Sequence, residues 1–227
     1  MKGKYTMSTI KTLATAWLCL VLTTAVATTA FAKDHLPEVS DDGLHLIKDA
    51  KVKVAYSKPG ASFADFDKLL LLDCFVEFKD GWQRSYNLEK VGLSGRIDDK
   101  DMEKIKKSVA DEFRKVFTAE LRDKGGYELV EEAGPGVLIL RPAIINLDPM
   151  APDVTPSYHR TIVSSAGSMA LYMEFYDGAN NEIIARVADP REDKFGGLAN
   201  KITNKQAADR ILRHWATLLR EALDDVR

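Results

Sequence analysis

The sequence predicts an α+β fold in which a mixed or antiparallel sheet of about four to five strands carries two long amphipathic helices on one face. Three observations predict it. Two stretches have apolar residues every three or four positions, a run of alternating strands lies between them, and a buried strand precedes the first helix. The expected order is strand, helix, strand, strand, strand, helix, with both helices packed on one sheet.

The strands have different patterns. Residues 69–78 are apolar in their first half and alternate in the second. This pattern predicts a strand whose first half is covered on both faces and whose second half has one face in solvent. Residues 137–147 form the second strand, and Pro142 predicts an edge or a bulge there because proline donates no hydrogen bond. Residues 168–176 and 182–188 both alternate around a turn and predict a hairpin.

Each long helix has terminal signals. Residues 99–124 have one apolar stripe, Asp98 is an N-cap, and the glycines at 125 and 126 mark the end. The last helix has an expected capping box made by Thr203 and Gln206. Residues 82–96, between the first strand and the first helix, are expected to form a polar loop.

The first residues have the three parts of a secretory signal. Lysines at the start precede an apolar core, and Ala30-Phe31-Ala32 offers small residues to a signal peptidase. We therefore expect residues 1–32 to be a signal peptide cleaved after Ala32. An N-terminal arm over 33–55 and a single α+β domain over 56–227 would follow. The expected location is the periplasm of a Gram-negative bacterium.

Two cysteines bear on anchoring and redox chemistry. Cys19 lies within the apolar core of the leader and no lipobox precedes it, so no lipid anchor is expected. Cys74 would be the one cysteine of the mature chain, which excludes an internal disulfide. Its apolar neighbours predict a buried, unreactive thiol.

Composition limits the partners. The chain has a formal net charge of −2, and cleavage of the leader would remove three lysines and no acid. A mixed, mildly acidic surface argues against nucleic acid as a partner, which requires a concentrated basic face. It also has no polybasic patch for a membrane surface, and no stable transmembrane segment is expected after cleavage.

Several segments resemble those of one family, the bacterial exported domain-of-unknown-function family 3313, whose members are often described as lipoproteins. The similar segments are residues 56–60, 66–73, 140–145, the hairpin over 167–191, and Trp215 in the last helix. The resemblance spans residues 55–225 and implies an envelope protein with no established activity. This chain departs from the lipid-anchored members because it lacks their lipobox.

The sequence offers no recognisable catalytic or metal-binding pattern. The four histidines lack the paired spacing of a zinc site, and no Gly-x-Ser-x-Gly elbow occurs. We therefore assign no catalytic residue, no metal ligand and no cofactor, and we expect a non-catalytic protein.

Three clusters mix aromatic or acidic residues with arginine and are the candidates for binding. Aromatic residues and arginine are enriched at protein interfaces. The first cluster lies in the expected loop after the first strand, the second precedes the hairpin, and the third lies at one end of it. In that order they are Trp82, Arg84 and Tyr86; Tyr158, His159 and Arg160; and Arg186, Asp189 and Arg191.

The leading hypothesis is a binding or assembly module of the periplasm whose partner is another envelope protein. Two alternatives stay open. One is an exported hydrolase whose site is assembled from distant loops, which a pocket with Asp, His and Ser side chains would support. The other is a carrier of a small lipophilic ligand, which an apolar cavity between sheet and helices would support.

Overall fold

The protein is built on a large mixed sheet, seen in a computed structural model that describes residues 36–89, 95–150, 161–163, 167–193, 197–199 and 201–226. The strands are β1 (His45–Leu46), β2 (Val54–Ser57), β3 (Lys68–Leu71), β4 (Phe75–Phe78), β5 (Glu128–Leu129), β6 (Val137–Pro149), β7 (Thr161–Val163), β8 (Gly167–Asp177), β9 (Ile183–Glu192) and β10 (Gly197–Ala199). The helices are α1 (Trp82–Leu88), α2 (Asp99–Thr118) and α3 (Lys201–Asp224).

Within the described residues the main sheet has eight strands, more than the four to five that the sequence predicts. Its order is β1-β2-β9-β8-β6-β3-β5, and β4 also pairs with β6. The pairings of β3 and β4 with β6 are parallel, whereas β6, β8, β9, β2 and β1 pair antiparallel. The two short strands β7 and β10 form a separate antiparallel pair. The α+β class is confirmed, and the number of strands is corrected.

The expected continuous strand over 69–78 is interrupted. β3 pairs with the first half of β6 and β4 with the second, and residues 72–74 separate them. The backbone N–H of Leu72 still donates to the carbonyl of Leu140 on β6. That carbonyl therefore points to the side of β6 on which β3 and β4 lie. Pro142 lies two residues further along β6, so its backbone faces the same side of the strand, opposite the interruption between β3 and β4.

Pro142 therefore lies neither at a sheet edge nor at a bulge of its own strand. β6 is central, and Pro142 is in register with Met173 of β8. The prediction was wrong because an interruption in the neighbouring strand accommodates the missing N–H, and a single sequence does not show which strands become neighbours.

The hairpin of β8 and β9 is confirmed and is longer than expected. β9 continues through Pro190 to Glu192, where a closing turn was predicted. β2 pairs with β9 only as far as Ala188, so Pro190 faces no partner on that side. Part of the chain before β2 belongs to the sheet and the core, because β1 pairs with β2 and Leu44 is buried.

The helices follow most of the terminal signals. Asp98 caps α2, accepting a hydrogen bond of 2.8 Å from the backbone N–H of Asp101, whose carboxylate accepts one from the N–H of Asp98 in return. α2 continues into one π-helical turn (Ala119–Lys124), and Gly126 follows at a φ of 69°. The predicted capping box of the last helix is wrong, because α3 already begins at Lys201, two residues before Thr203.

The third helix, α1, replaces part of the expected polar loop over 82–96. Trp82 and Tyr86 are four residues apart and both are buried, because α1 turns them onto one face. Trp82 stacks on Phe78 of β4 at a ring-centroid distance of 4.6 Å. Two aromatic residues within a polar stretch thus formed a short amphipathic helix rather than a loop.

α2 and α3 lie on one face of the sheet, which we call the inner face. It includes Leu140, Met173, Phe175, Ala185 and Val187, and the alternation of β6, β8 and β9 points all five to the same side. The opposite, outer face carries the intervening residues of the same strands. In the part of the chain that the structure describes, no helix combines the length and apolar character needed to cross a bilayer.

Candidate functional site

An apolar cavity of about 290 Å³ lies between the inner face of the sheet and α3. Its volume is close to the lower end of the range for pockets that hold small molecules, about 300 Å³. Its walls come from β2, β8, β9, α3, one residue of α2, the segment before β2 and one residue of the segment between β2 and β3. The wall residues are Ile47, Ala50, Val52, Ala55, Phe63, Phe117, Leu171, Met173, Phe175, Ala185, Val187, Trp215, Leu218, Leu219 and Ala222.

Small side chains leave this space open. Ala55 on β2 lies opposite Val187 on β9, and Ala185 lies two pairs further along the same strands, opposite Ser57. These positions present little more than a Cβ toward α3. Ala222 on the last turn of α3 and Ala50 before β2 are equally small. The two layers therefore meet without filling the space between them, in contrast to the close packing of an ordinary core.

The covering segment is residues 47–52, which we call the strap. The backbone N–H of Ile47 donates to the carbonyl of Ala55 at 2.8 Å. The ammonium of Lys51 lies 3.4 Å from Glu221 and 3.9 Å from Asp225, both at the end of α3. All three of these side chains are substantially exposed, so the strap is held to α3 by weak contacts.

Asp189 joins the other end of the strap to the sheet and to α3. Its carboxylate accepts hydrogen bonds from the backbone N–H of Lys53 at 2.9 Å and from the indole of Trp215 at 2.7 Å. The guanidinium of Arg191 donates a third, also at 2.7 Å. Asp189 is only 4% exposed, and these three donors compensate for the burial of its charge.

A second cluster lies on the outer face, centred on Glu174. Its carboxylate accepts hydrogen bonds of 2.8 Å from the hydroxyls of both Tyr172 and Tyr176. Arg186 donates from 3.2 Å, and Arg141 contributes a longer contact of 3.4 Å. The cross-strand pairing of β6, β8 and β9 brings these groups together, because Arg141, Glu174 and Arg186 occupy one row.

The protonation of this cluster follows from its contacts. Burial opposes ionisation of Glu174, but the tyrosine hydroxyls and the charge of Arg186 outweigh it and lower the pKa of the carboxyl group. Burial and the Glu174 carboxylate together raise the pKa of Tyr172 to about 12. The cluster is therefore a carboxylate held between neutral tyrosines and two arginines at neutral pH.

The first predicted binding cluster does not form one surface. Trp82 and Tyr86 are buried in the core, whereas Arg84 is exposed on the other side of α1. Tyr158, His159 and Arg160, the second predicted cluster, lie outside the described residues.

The third predicted cluster is divided by the sheet. Arg186 lies on the outer face, where it contacts Glu174 and Asp42. Asp189 and Arg191 lie on the inner face, because they are an odd number of residues from Arg186 in the same strand. There they form an ion pair with each other. Residues that are close in sequence thus belong to two separate sites.

The sequence reasoning missed both the cavity and the Glu174 cluster. Tyr172, Glu174 and Tyr176 were present as the second face of an alternating strand, which was a signal that could have identified the cluster. The cavity had no local signal, because it depends on how small residues from distant segments face each other.

Cys74 is the one cysteine within the described residues. Burial raises the pKa of the Cys74 thiol to about 12, which makes it a poor nucleophile at neutral pH. In the described ranges, no three His, Cys, Asp or Glu side chains are grouped so that they could hold a metal ion.

Comparisons with known proteins identify one family and two solved structures of low similarity. No curated protein matches the chain. Two solved structures of the PelC dodecamer from Paraburkholderia phytofirmans are similar at a TM-score of 0.37 each. One of them, a single-residue variant in space group C2, is 9% identical, with 73% of this chain and 97% of that chain covered. The other, in space group P6, is 10% identical, with 72% and 96% covered.

The family resemblance noted in the sequence is confirmed over most of the chain. The family described as "Protein of unknown function (DUF3313)" matches residues 40–219, from the segment before β1 to the last turns of α3. The match includes the strands that line the cavity, the whole of α2, and α3 as far as Leu219, so Ala222 and Asp225 lie beyond it. The chain belongs to this family of proteins of unknown function.

Proposed function

We propose that this protein is a non-catalytic binding module that takes the apolar part of a small lipophilic ligand into the cavity between its sheet and α3. The observation that carries the proposal is the cavity itself, about 290 Å³ in volume with walls of aliphatic and aromatic side chains. Cavities of this size with apolar walls stay dry or bind apolar molecules.

The energetic basis is the transfer of apolar surface out of water. Each methylene that moves from water into an apolar site contributes about 0.8 kcal/mol. A chain of about six methylenes would contribute about 5 kcal/mol, from which the entropy of association is subtracted. We therefore expect reversible binding, as is suitable for a carrier.

The test is titration with N-phenyl-1-naphthylamine, an uncharged dye whose fluorescence rises in apolar surroundings. We expect a saturable increase with the unaltered protein. Ala222→Trp should weaken binding by about tenfold or more, because an indole at this exposed wall position blocks the mouth sterically. Ala133→Trp makes the same change at an exposed loop position away from the cavity and should leave binding unaltered. Equal binding by both variants would refute the proposal.

The proposed place of action is the periplasm, which rests on the leader pattern at residues 1–32. Intact-mass measurement of the protein from the periplasmic fraction of a Gram-negative host should give a chain that begins at Lys33. A chain that keeps residues 1–32 and is recovered with the cytoplasm would refute export. The absence of a lipid adduct on the mature chain would support a protein without an anchor.

The outer face favours a second candidate function, the binding of another envelope protein. Phe75 on β4 is 59% exposed and lies beside Ala143 and Tyr172 in one row of the outer face. Exposed aromatic side chains near arginine are typical of protein interfaces. A photo-crosslinking amino acid at position 75 should capture a specific partner in the envelope. The same photo-crosslinking amino acid placed at exposed position 131 serves as the control.

A further inference from the structure

The mouth of the cavity differs from its walls in being charged. Lys51 of the strap and Asp225, just after α3, are the charged side chains among the described cavity-lining residues. Glu221, one turn before Asp225, shares the ammonium of Lys51 with it. One positive group therefore faces two negative groups at the place where a ligand would enter.

Two nearby basic groups are already paired with other carboxylates. The strap's other lysine, Lys48, is paired with Glu38 at 3.2 Å. On α3, Arg220 is held by Glu120 at 3.0 Å and by Asp224 at 2.7 Å. The exposed Asp49 of the strap adds a further negative charge to this side of the molecule.

The end of α3 also makes the mouth of the cavity more negative. The helix ends at Asp224, and the peptide dipoles of its last turn place a partial negative charge at the mouth. A cation is favourable at a helix C-terminus, and an anion is unfavourable there. The mouth therefore attracts positive groups through two independent features, the carboxylate pair and the helix end.

We infer that the ligand is an amphiphile with a cationic end group, an ammonium or a quaternary amine, which lies between Glu221 and Asp225 while its apolar part occupies the cavity. This inference rests on the proposed function and adds the class of ligand to it. Lys51 is a replaceable occupant of the same position, because its contacts of 3.4 and 3.9 Å are long and its side chain is 62% exposed.

The test compares three compounds with the same ten-carbon chain as competitors of N-phenyl-1-naphthylamine, below the concentrations at which they form micelles. They are decyltrimethylammonium, 1-decanol and decyl sulfate. We expect decyltrimethylammonium to displace the dye at about fivefold lower concentration than decyl sulfate, as two exposed carboxylates imply, with 1-decanol between them. Added salt should reduce the difference, because the charges are exposed.

Variants locate the preference. The double variant Glu221→Gln, Asp225→Asn should reduce the difference between the cationic and anionic compounds to about twofold or less, whereas Lys51→Gln should increase it. Glu131→Gln, Glu132→Gln removes the same charge from an exposed loop and should leave the preference unaltered. All five altered residues are at least partly exposed, so the variants should fold.

Failure of this inference differs from failure of the proposed function. If the dye does not bind, the proposed function is wrong and the inference with it. If the dye binds and Ala222→Trp weakens it, but the three compounds compete equally, only the cationic class is refuted. The inference would also be overturned if decyl sulfate displaced the dye at a lower concentration than decyltrimethylammonium. A preference for the cationic compound that persists in Glu221→Gln, Asp225→Asn would overturn it as well.

Discussion

The indole N–H of Trp215 donates a hydrogen bond of 2.7 Å to Oδ2 of Asp189, joining the middle of α3 to β9 beneath the apolar cavity. Both residues are almost fully buried. The same carboxylate holds the backbone N–H of Lys53, where the strap passes into β2. One buried charge thus fixes the positions of three elements that enclose the cavity.

Replacement of Trp215 by Phe should destabilise the protein. The change removes one of the three donors to a buried carboxylate, and a hydrogen bond to a charged group contributes about 1.5–3 kcal/mol. We expect the free energy of unfolding to fall by at least that amount, measured by urea denaturation. Trp82→Phe is the matched control, since it removes the same atoms from an aromatic stack instead of from a bond to a carboxylate. Equal losses in the two variants would show that the Asp189 bond contributes little.

Glu174 should make the stability of the protein depend on pH. Its pKa is lowered in the folded state, so its contribution is complete above the unfolded pKa, near 4.3, and is lost as the pH falls through the folded value. The melting temperature of Glu174→Gln should lie below that of the unaltered protein at pH 7, and the gap should narrow below about pH 4.

The control for this pH dependence is Glu131→Gln, which removes an exposed carboxylate. Its melting curve should follow that of the unaltered protein at every pH from neutral to acidic. A gap between Glu174→Gln and the unaltered protein that stays constant over the same range would contradict the role given to the ionised carboxylate. Thermal unfolding followed by circular dichroism is sufficient for both variants.

Glu120 is the corresponding group between the two long helices. It is 3% exposed and accepts hydrogen bonds from Lys124 at 2.7 Å, Arg220 at 3.0 Å and Thr217 at 3.2 Å. Glu120→Ala should lower the free energy of unfolding by about 1–3 kcal/mol, because the bonds to Thr217 and Arg220 join the π-helical turn to α3. Glu103→Ala, at an exposed position of α2, should change it by less than about 0.5 kcal/mol. Similar losses would refute a specific role for Glu120.

The parts of the fold that the sequence predicted depend on local signals. The N-cap at Asp98 and the alternation of β8 and β9 are each complete within about ten residues, so they were predictable. The α1 helix was not, since two turns containing Trp82 and Tyr86 are too short for a periodic pattern to emerge from a polar stretch.

The parts that the sequence could not predict depend on distant residues facing each other. Ala55 and Ala185 are ordinary small strand residues until α3 is placed over them, and only then do they leave a cavity. The interruption at residues 72–74 is likewise explained by Pro142, a neighbour only in the folded sheet. The candidate site was therefore accessible to sequence reasoning only as a possible class, a lipophilic-ligand carrier, and without its residues.

Cys74 should react slowly with alkylating reagents. Burial raises the pKa of its thiol to about 12, so at pH 8 the thiolate fraction is about a thousandfold smaller than that of a free cysteine. We expect iodoacetamide to modify the peptide that contains Cys74 within minutes in concentrated urea but hardly at all in the folded protein, as measured by mass spectrometry. Cys74 lies within the interruption between β3 and β4, and its side chain is partly buried against the core. Rapid labelling without urea would therefore mean that this region opens readily in the folded protein.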